Sequence, residues 1–488
     1  MADAEFGERS RADACPGALQ THPAADGAVA RVRVPGGLLT GERLAELGAA
    51  CAALGSGVVE LTSRANVQVR GLDGPGAELF AERMAAIGLL PSATHERVRN
   101  ILASPLAGLD GRGLIEVAPL VRELDEALVS HPALADLPGR FLFAVDDGRG
   151  DVALPAADVA YLPLPSAAHL PRPATESTRP PAADVRGALL LAGRDTGLRA
   201  APSDVVPLMI AAGEAFLAER AAQGSAAWRV AELADGPANI TARVSARAPG
   251  AGRVAGPGSA DGPASPPLQE QSGRPSGGLG GSRPAPSIGL GDRPAPRLGP
   301  LAQTDGRVAL VVMPPLGRLT AAQASVLAEA ARAGAGEVRL TPWRSVIVPG
   351  MRPETAESWL ARLGEAGLVT DPASPWTGVT SCTGRPGCAK SLADVQADAT
   401  HATGRSGTGR ATVQAATADV NGETPGRRLP VHWAGCERQC GRPRGPAVLV
   451  VATGDGYRVE SDGESMRHLG IAETAAAVAT ARAAHHAH

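Results

Sequence analysis

Two stretches of this chain carry the same order of apolar and polar positions. Residues 26–71 read DGAVARVRVPGGLLTGERLAELGAACAALGSGVVELTSRANVQVRG, and residues 305–350 read DGRVALVVMPPLGRLTAAQASVLAEAARAGAGEVRLTPWRSVIVPG. Each opens on a strand-like apolar run that stops at a proline (Pro35, Pro314), followed by a helical run entered through a threonine. In the first copy the helix is expected from Thr40 to Leu54, because Leu44, Leu47, Cys51 and Leu54 recur at helical spacing. Each copy closes on Leu-Thr (Leu61-Thr62, Leu340-Thr341) and an alternating strand, VQVRG or VIVPG, stopped by Gly71 or Gly350. A duplicated unit of this kind predicts a pseudo-two-fold α/β enzyme with its site between the halves.

Between the copies the pattern lapses. Residues 249–302 are dominated by Gly, Pro, Ser and Arg and repeat RPAP at 283–286 and 293–296. Such a segment buries too little apolar surface to offset its ordering entropy, so it is expected to be a disordered linker. A second polar insert is expected at about 400–428, and a Pro-rich loop at 171–182.

Composition narrows the class. Apolar residues make up 44% of 488, enough for real cores, but aromatics are only 2%, so Ala, Val and Leu must fill them. A formal charge of −3 gives no basic field and argues against nucleic acid as a partner. No apolar run reaches membrane-span length, and MADAEFGERSRADACPG has no signal-peptide core, so a cytoplasmic, membrane-free protein is expected.

Four of the six cysteines form close pairs, in SCTGRPGCAKS and VHWAGCERQCGRP: Cys382 and Cys388, then Cys436 and Cys440. In a large reduced-compartment protein, paired cysteines point to metal before disulfides. The C-x5-C and C-x3-C spacings, set among Gly384, Pro386, Gly387, Gly435 and Gly441, suit loops that wrap a 4Fe–4S cluster. A zinc knuckle, which favours C-x2-C, is the competing reading. Cys15 and Cys51 fall outside this set. Cys51 reads as an ordinary buried thiol of the predicted helix. Lys390, the one lysine, lies two residues past Cys388 and is a candidate for a role near the cluster.

These cysteine motifs resemble the cluster signature of the sirohaem-dependent sulfite and nitrite reductases, as do LTSRANVQVRGL (61–72), VRNILASPLAGLD (98–110) and LPGRFLFAVDDG (137–148). Within that superfamily ACPGALQ (14–20), PGGLLT (35–40), GRFLFAVDDGRGDV (139–152), LTPWRSV (340–346) and GCERQCGRP (435–443) resemble the precorrin-3B synthases of aerobic cobalamin biosynthesis.

The resemblance implies an α+β nitrite/sulfite reductase fold with two ferredoxin-like half-domains (24–90 and 303–370). It also implies a tetrapyrrole-binding α/β lobe (91–248) and a cluster lobe (371–480). It implies tetrapyrrole contacts at Arg64, Arg99 and Arg140, because a guanidinium fork pairs carboxylates in two-point fashion. Asn66, Gln68 and Asn100 are candidate polar partners. For each arginine an ordinary ion pair is the plain alternative. The reductases carry a second cation two residues after the position of Arg140. Here Leu142 stands there, which removes a proton donor and speaks against sulfite or nitrite reduction.

The implied activity is dioxygen-dependent hydroxylation of precorrin-3A with lactone formation, using electrons from an NADH-linked reductase or a ferredoxin. A coordinatively full cluster would leave the oxygen chemistry to a second, non-haem iron. His95 and His432 are candidate ligands for it, but no 2-His-1-carboxylate spacing appears, so its ligands are not assigned. The alternatives are a reductase binding sirohaem and a non-catalytic iron–sulfur or tetrapyrrole carrier.

Overall fold

The computed structural model describes residues 13, 15–153, 157–165, 185–247, 252–253, 295–404, 428–443, 445–461 and 463–484. Four sheets organise them. The first runs His22–Ala24, Gly27–Val32, Val67–Leu72, Val58–Leu61 and Arg318–Thr320 in spatial order. The second runs Gly299–Ala302, Val308–Val312, Val346–Met351, Glu337–Leu340 and Leu38–Thr40.

The last strand of each sheet comes from the other half of the duplication. Arg318, Leu319 and Thr320 pair antiparallel with Glu60, Val59 and Val58, while Leu38, Leu39 and Thr40 pair with Arg339, Val338 and Glu337. This exchange makes the two halves one body. Their helices Gly41–Leu54 and Ala321–Ala333 then pack on each other through small residues. A methyl group on Gly48 would lie 2.8 Å from the Ala324 Cβ, and one on Gly41 2.9 Å from the Ala328 carbonyl oxygen, so only glycine permits the approach.

Both helices start where the threonine signal places them. Thr40 accepts from the Arg43 amide, and Thr320 with Gln323 forms a reciprocal capping box. Leu44, Leu47 and Cys51 are fully buried in the core shared by the two halves.

A third sheet of six strands includes Ile101–Ala103, Phe143–Val145 and Val159–Leu164, covered by helices Ala118–Ser130 and Val205–Ala222. A fourth joins Val379–Ser381, Val431–Ala434 and Val448–Ala452 in parallel, then Tyr457–Ser461 and Glu464–His468 antiparallel. The first two sheets of the molecule thus form a central platform, with one larger lobe attached to each half.

The linker and insert boundaries need correction. Residues 299–302, expected in the linker, form an edge strand whose Gly299, Pro300, Leu301 and Ala302 pair with Val311, Leu310, Ala309 and Val308. Residues 400–404, expected in the second insert, complete the helix Val395–Gly404. Its buried Val395 and Ala399 explain why: an apolar stripe continues into a stretch that looks polar on average. Most of the expected linker, the rest of the insert and the Pro-rich stretch lie outside the described residues. Among those described, no helix is long and apolar enough to cross a membrane.

Candidate functional site

The first sheet turns one face to the core and the other outward. Ala30, Val32, Val59, Val67 and Val69 face the core. The directly opposed residues Arg31, Gln68, Glu60 and Arg318 make a polar row on the other face. Arg31 donates to the Gln68 side-chain oxygen at 2.7 Å, and the Gln68 amide donates to Glu60 at 2.9 Å. Beside this row opens a cavity of about 730 Å³, walled by Arg31 and Arg64 on the half-domain side and by Arg140, Asp158, Trp228 and Arg229 on the lobe side.

Arg64 reaches the cavity through a tight turn. The Thr62 amide donates to the Asn66 carbonyl at 3.0 Å, and the Thr62 hydroxyl accepts the Asn66 amide at 3.1 Å. The Arg64 guanidinium has no hydrogen-bond or ion-pair partner among the described residues. Burial, with the nearby Arg229 charge, pulls its pKa down to about 10. A desolvated cation without a counter-ion is costly, and an anionic ligand would relieve that cost. Arg140 also lines the cavity and lies 5.0 Å over the Trp228 ring.

The other sequence candidates have different roles. Arg99, expected at the macrocycle, is absent from the cavity wall. It is 4% exposed and grips Asp125 through two nitrogens at 2.6 and 2.7 Å, with a third bond to the Leu89 carbonyl, so its fork is fully used inside the protein. Asn66 and Asn100 border the cavity but are spent on each other and on backbone. Asn66 donates to Asn100 at 3.0 Å and accepts from Val34, while Asn100 donates to the Gly139 carbonyl at 2.7 Å. Gln68 props Arg31 rather than lining the wall. The Leu142 side chain is 2% exposed in the core; its amide donates to Asp158 at 2.9 Å.

Cys15 on the cavity wall, and Arg33 and Glu96 behind it, escaped the sequence reading. Cys15 lines the cavity, and its sulfur accepts from Arg31 at 3.3 Å and from Arg33 at 3.4 Å. Arg33 is 1% exposed, and burial lowers its pKa to about 10. Glu96 clamps the segment after Cys15 by accepting the amides of Ala18, Leu19 and Gln20 at 2.7–3.0 Å. The available signal was the RVRV run, where an arginine alternation replaces the apolar residues of the second copy.

The cysteine motifs converge at the ends of adjacent parallel strands. The Cys382 amide donates to the Trp433 carbonyl at 2.9 Å, and the Gly435 amide donates to the Cys382 sulfur at 3.2 Å. Burial raises the Cys382 thiol, and the nearby Cys440 and Cys388 raise it further, which makes these three electrostatic neighbours. Cys436 follows the strand Val431–Ala434, one turn before Cys440, with the Gln439 amide donating to its carbonyl.

Among the described residues no three of these sulfurs lie within 4.8 Å of one another. A tetrahedral zinc with Zn–S near 2.3 Å would need about 3.8 Å between sulfurs. Four soft thiols in glycine-bearing loops have the chemistry that a cubane cluster requires. The first loop is docked on the half-domain by Arg70, which pairs with Asp26 at 2.8 Å and donates to the Gly387 carbonyl at 2.7 Å. Lys390 is exposed two residues past Cys388, with no hydrogen bond or ion pair among the described residues.

Neither candidate histidine is open to an iron. His95 has Nδ1 against Ser92 and Thr94 and Nε2 3.1 Å from the His131 carbonyl. His432 has Nδ1 3.0 Å from the Thr380 hydroxyl and Nε2 3.1 Å from the Cys440 carbonyl. Asp146, Asp147 and Asp151 cluster within 4.8 Å, but both Asp146 oxygens accept two backbone amides each, and Arg149 pairs with Asp147 and Asp110. That cluster shapes a turn.

Comparison with known proteins agrees with this architecture. A model of the nitrite/sulfite reductase ferredoxin-like half domain matches residues 22–87 and 300–366. A precorrin-3B synthase from Sinorhizobium sp is 26% identical over 93% of this chain and 83% of its own. A ferredoxin–nitrite reductase from Synechococcus elongatus is 27% identical over 91% and 79%. The solved structure of the Mycobacterium tuberculosis NirA protein superposes with a TM-score of 0.64 at 20% identity, covering 92% of this chain and 79% of that one. The chain therefore has the nitrite/sulfite reductase fold, an α+β architecture with two ferredoxin-like half-domains, and over most of its length it is similar to a precorrin-3B synthase.

Proposed function

We propose that the chain is an iron–sulfur oxidoreductase of cobalamin biosynthesis that converts precorrin-3A to precorrin-3B. The observation that carries this reading is the buried Arg64 guanidinium, without a hydrogen-bond or ion-pair partner among the described residues, on the wall of a cavity of about 730 Å³. The precorrin-3B synthase relative, which matches nearly the whole chain, supports the choice of substrate.

In this reading Arg64, Arg140 and Arg31 hold carboxylates of the macrocycle, and the Trp228 ring supports the Arg140 guanidinium. Cys382, Cys388, Cys436 and Cys440 hold a 4Fe–4S cluster, which supplies one-electron transfer when bound. The reaction consumes precorrin-3A, dioxygen, two electrons and two protons; one oxygen enters the product and the other leaves as water. Electrons come from a ferredoxin or an NADH-linked reductase. His95 and His432 are committed to structural bonds, so ligands of a non-haem iron are to be sought elsewhere.

The second reading, a sirohaem-dependent reductase, is favoured by the nitrite reductase relative. It is disfavoured by Leu142, whose side chain is buried in the core and offers no cation to the cavity. The visible spectrum of anaerobically purified protein separates the two. A broad iron–sulfur absorption alone supports the synthase, and intense sirohaem bands support the reductase.

A further inference from the structure

The turn Thr341–Ser345 is the pseudo-two-fold mate of the turn that presents Arg64. Its Thr341 amide donates to the Ser345 carbonyl at 3.0 Å, as Thr62 does to Asn66. Each turn has one non-glycine residue in the left-handed region, Ala65 at φ 55° and Arg344 at φ 61°. A long side chain is strained there, and such strain persists where surrounding structure and function hold it.

The neighbouring glycine makes room for this arginine. A methyl group on Gly317 would lie 2.6 Å from the Arg344 Cδ, so the side chain runs over a glycine that must stay bare. Beyond Gly317 the half-buried guanidinium has no hydrogen bond or ion pair among the described residues. Its place follows from Gly317, which sits between Leu316, packed with Val379 in the core of the cysteine lobe, and Arg318, which pairs with Glu60 at the edge of the first sheet. Burial lowers its pKa while Glu60 partly offsets this. The side chain therefore runs over the seam between the polar face of the first sheet and the cysteine strand.

We propose that Arg344 is an anchor for a macrocycle carboxylate contributed by the second half-domain, complementing Arg64 of the first. This rests on the tetrapyrrole reading above. The arrangement follows from the duplication: mated turns each deliver one guanidinium, Arg64 on the cavity wall and Arg344 beyond it at the Arg318 end of the polar row, and a ligand with carboxylates around its rim can engage both. Glu60 accepts the Gln68 amide at 2.9 Å and makes no ion pair with Arg344 among the described residues. The fork of Arg344 is thus left for a carboxylate from outside the chain.

The test uses the full-length, cluster-reconstituted protein and uroporphyrin III, an octacarboxylate porphyrin, as the probe. Binding is followed by fluorescence titration and the cluster potential by a paramagnetic-resonance redox titration. Arg344→Gln and Arg344→Gly are both expected to weaken binding about ten- to a hundred-fold, with the potential unchanged. The glycine variant keeps the left-handed turn, so a folding defect in the glutamine variant alone does not decide the matter. Wild-type affinity in both variants, alongside weakened binding by Arg64→Ala, would overturn the proposal and leave the tetrapyrrole reading standing. A shifted potential with unchanged binding would also overturn it and assign Arg344 to the cluster. If the wild-type protein does not bind the porphyrin, or Arg64→Ala binds as well as wild type, the tetrapyrrole reading falls and the proposal with it.

Discussion

The outward faces of the two half-domain sheets occupy pseudo-equivalent positions and are chemically opposite. On the first the cross-strand row is Arg31, Gln68, Glu60 and Arg318. On the second the corresponding row is Val311, Ile347, Arg339 and Leu38. Val311 and Ile347 are fully buried against Leu106 and Leu109, and Arg339 ties down the Pro105 and Ala107 carbonyls. One face is left open beside a cavity, and its mate is sealed by a loop of the first lobe. Duplication supplied two platforms; burial made one a scaffold and left the other free for chemistry. The sealing loop belongs to the VRNILASPLAGLD stretch, so a motif read as ligand-binding serves mainly to join the halves.

The largest effect should come from the cysteines. Serine at Cys382, Cys388, Cys436 or Cys440 is expected to abolish the cluster's paramagnetic signal, while serine at Cys51, buried on the platform, or at Cys15, at the cavity, leaves it intact. Loss of the cluster in Cys51→Ser would show that the ligand set is wrong.

Next, Arg99 and Arg64 should separate stability from binding. Arg99→Ala strands Asp125 and removes a buried pair, at a cost of about 3–5 kcal/mol in denaturant unfolding. Arg64→Ala removes no internal partner and should leave stability near wild type. It should weaken tetrapyrrole binding by about 30- to 150-fold, the loss of one charged hydrogen-bonded contact of about 2–3 kcal/mol. The reverse pattern would return Arg99 to the pocket.

The two faces can be exchanged directly. Ile347→Gln places an amide with no partner in the sealed layer and should destabilise by about 1–3 kcal/mol. The opposite change on the open face, Arg31→Val, which installs the residue found at the equivalent Val311, should change stability little and weaken ligand binding. Equal stability losses in both would mean that the open face is as structural as the sealed one.

The smallest expected effect is a pH dependence. Burial and the Asp146 carboxylate raise Asp151 from 3.8 to about 7. The folded state then binds more protons than the unfolded chain between these values. This carboxyl's contribution to stability is fully present below about pH 4 and falls as the pH rises toward 7. Asp151→Asn should therefore raise the melting temperature at pH 8 relative to wild type and change it little at pH 4. An equal gain at both pH values would exclude titration of Asp151 as the cause.

What could be read from the sequence was local. Thr40 and Thr320 cap the helices they were expected to open, and VQVRG and VIVPG form strands, because periodicity and capping act within a few residues. The duplication pointed to a pseudo-two-fold α/β enzyme, and the α+β fold class came from the motif resemblance. The strand exchange was illegible, since three-residue strands have little pattern and Leu38–Thr40 pairs with partners about 300 residues away. The role of Arg99 depended on Asp125, and those of Asn66 and Asn100 on each other, which no spacing encodes. Cys15 and Arg33 meet only because Glu96 folds the segment after Cys15 back over the sheet.

The central claim is that the arginine-lined cavity holds a substrate which is oxygenated, rather than a sirohaem that reduces an anion. The most direct measurement gives anaerobically reconstituted protein precorrin-3A, dioxygen and a reduced ferredoxin, and weighs the product by mass spectrometry. The account predicts a product heavier by one oxygen atom, formed without sirohaem, with no turnover of sulfite or nitrite. Sirohaem in the purified protein, sulfite or nitrite turnover and an unchanged precorrin-3A would contradict it.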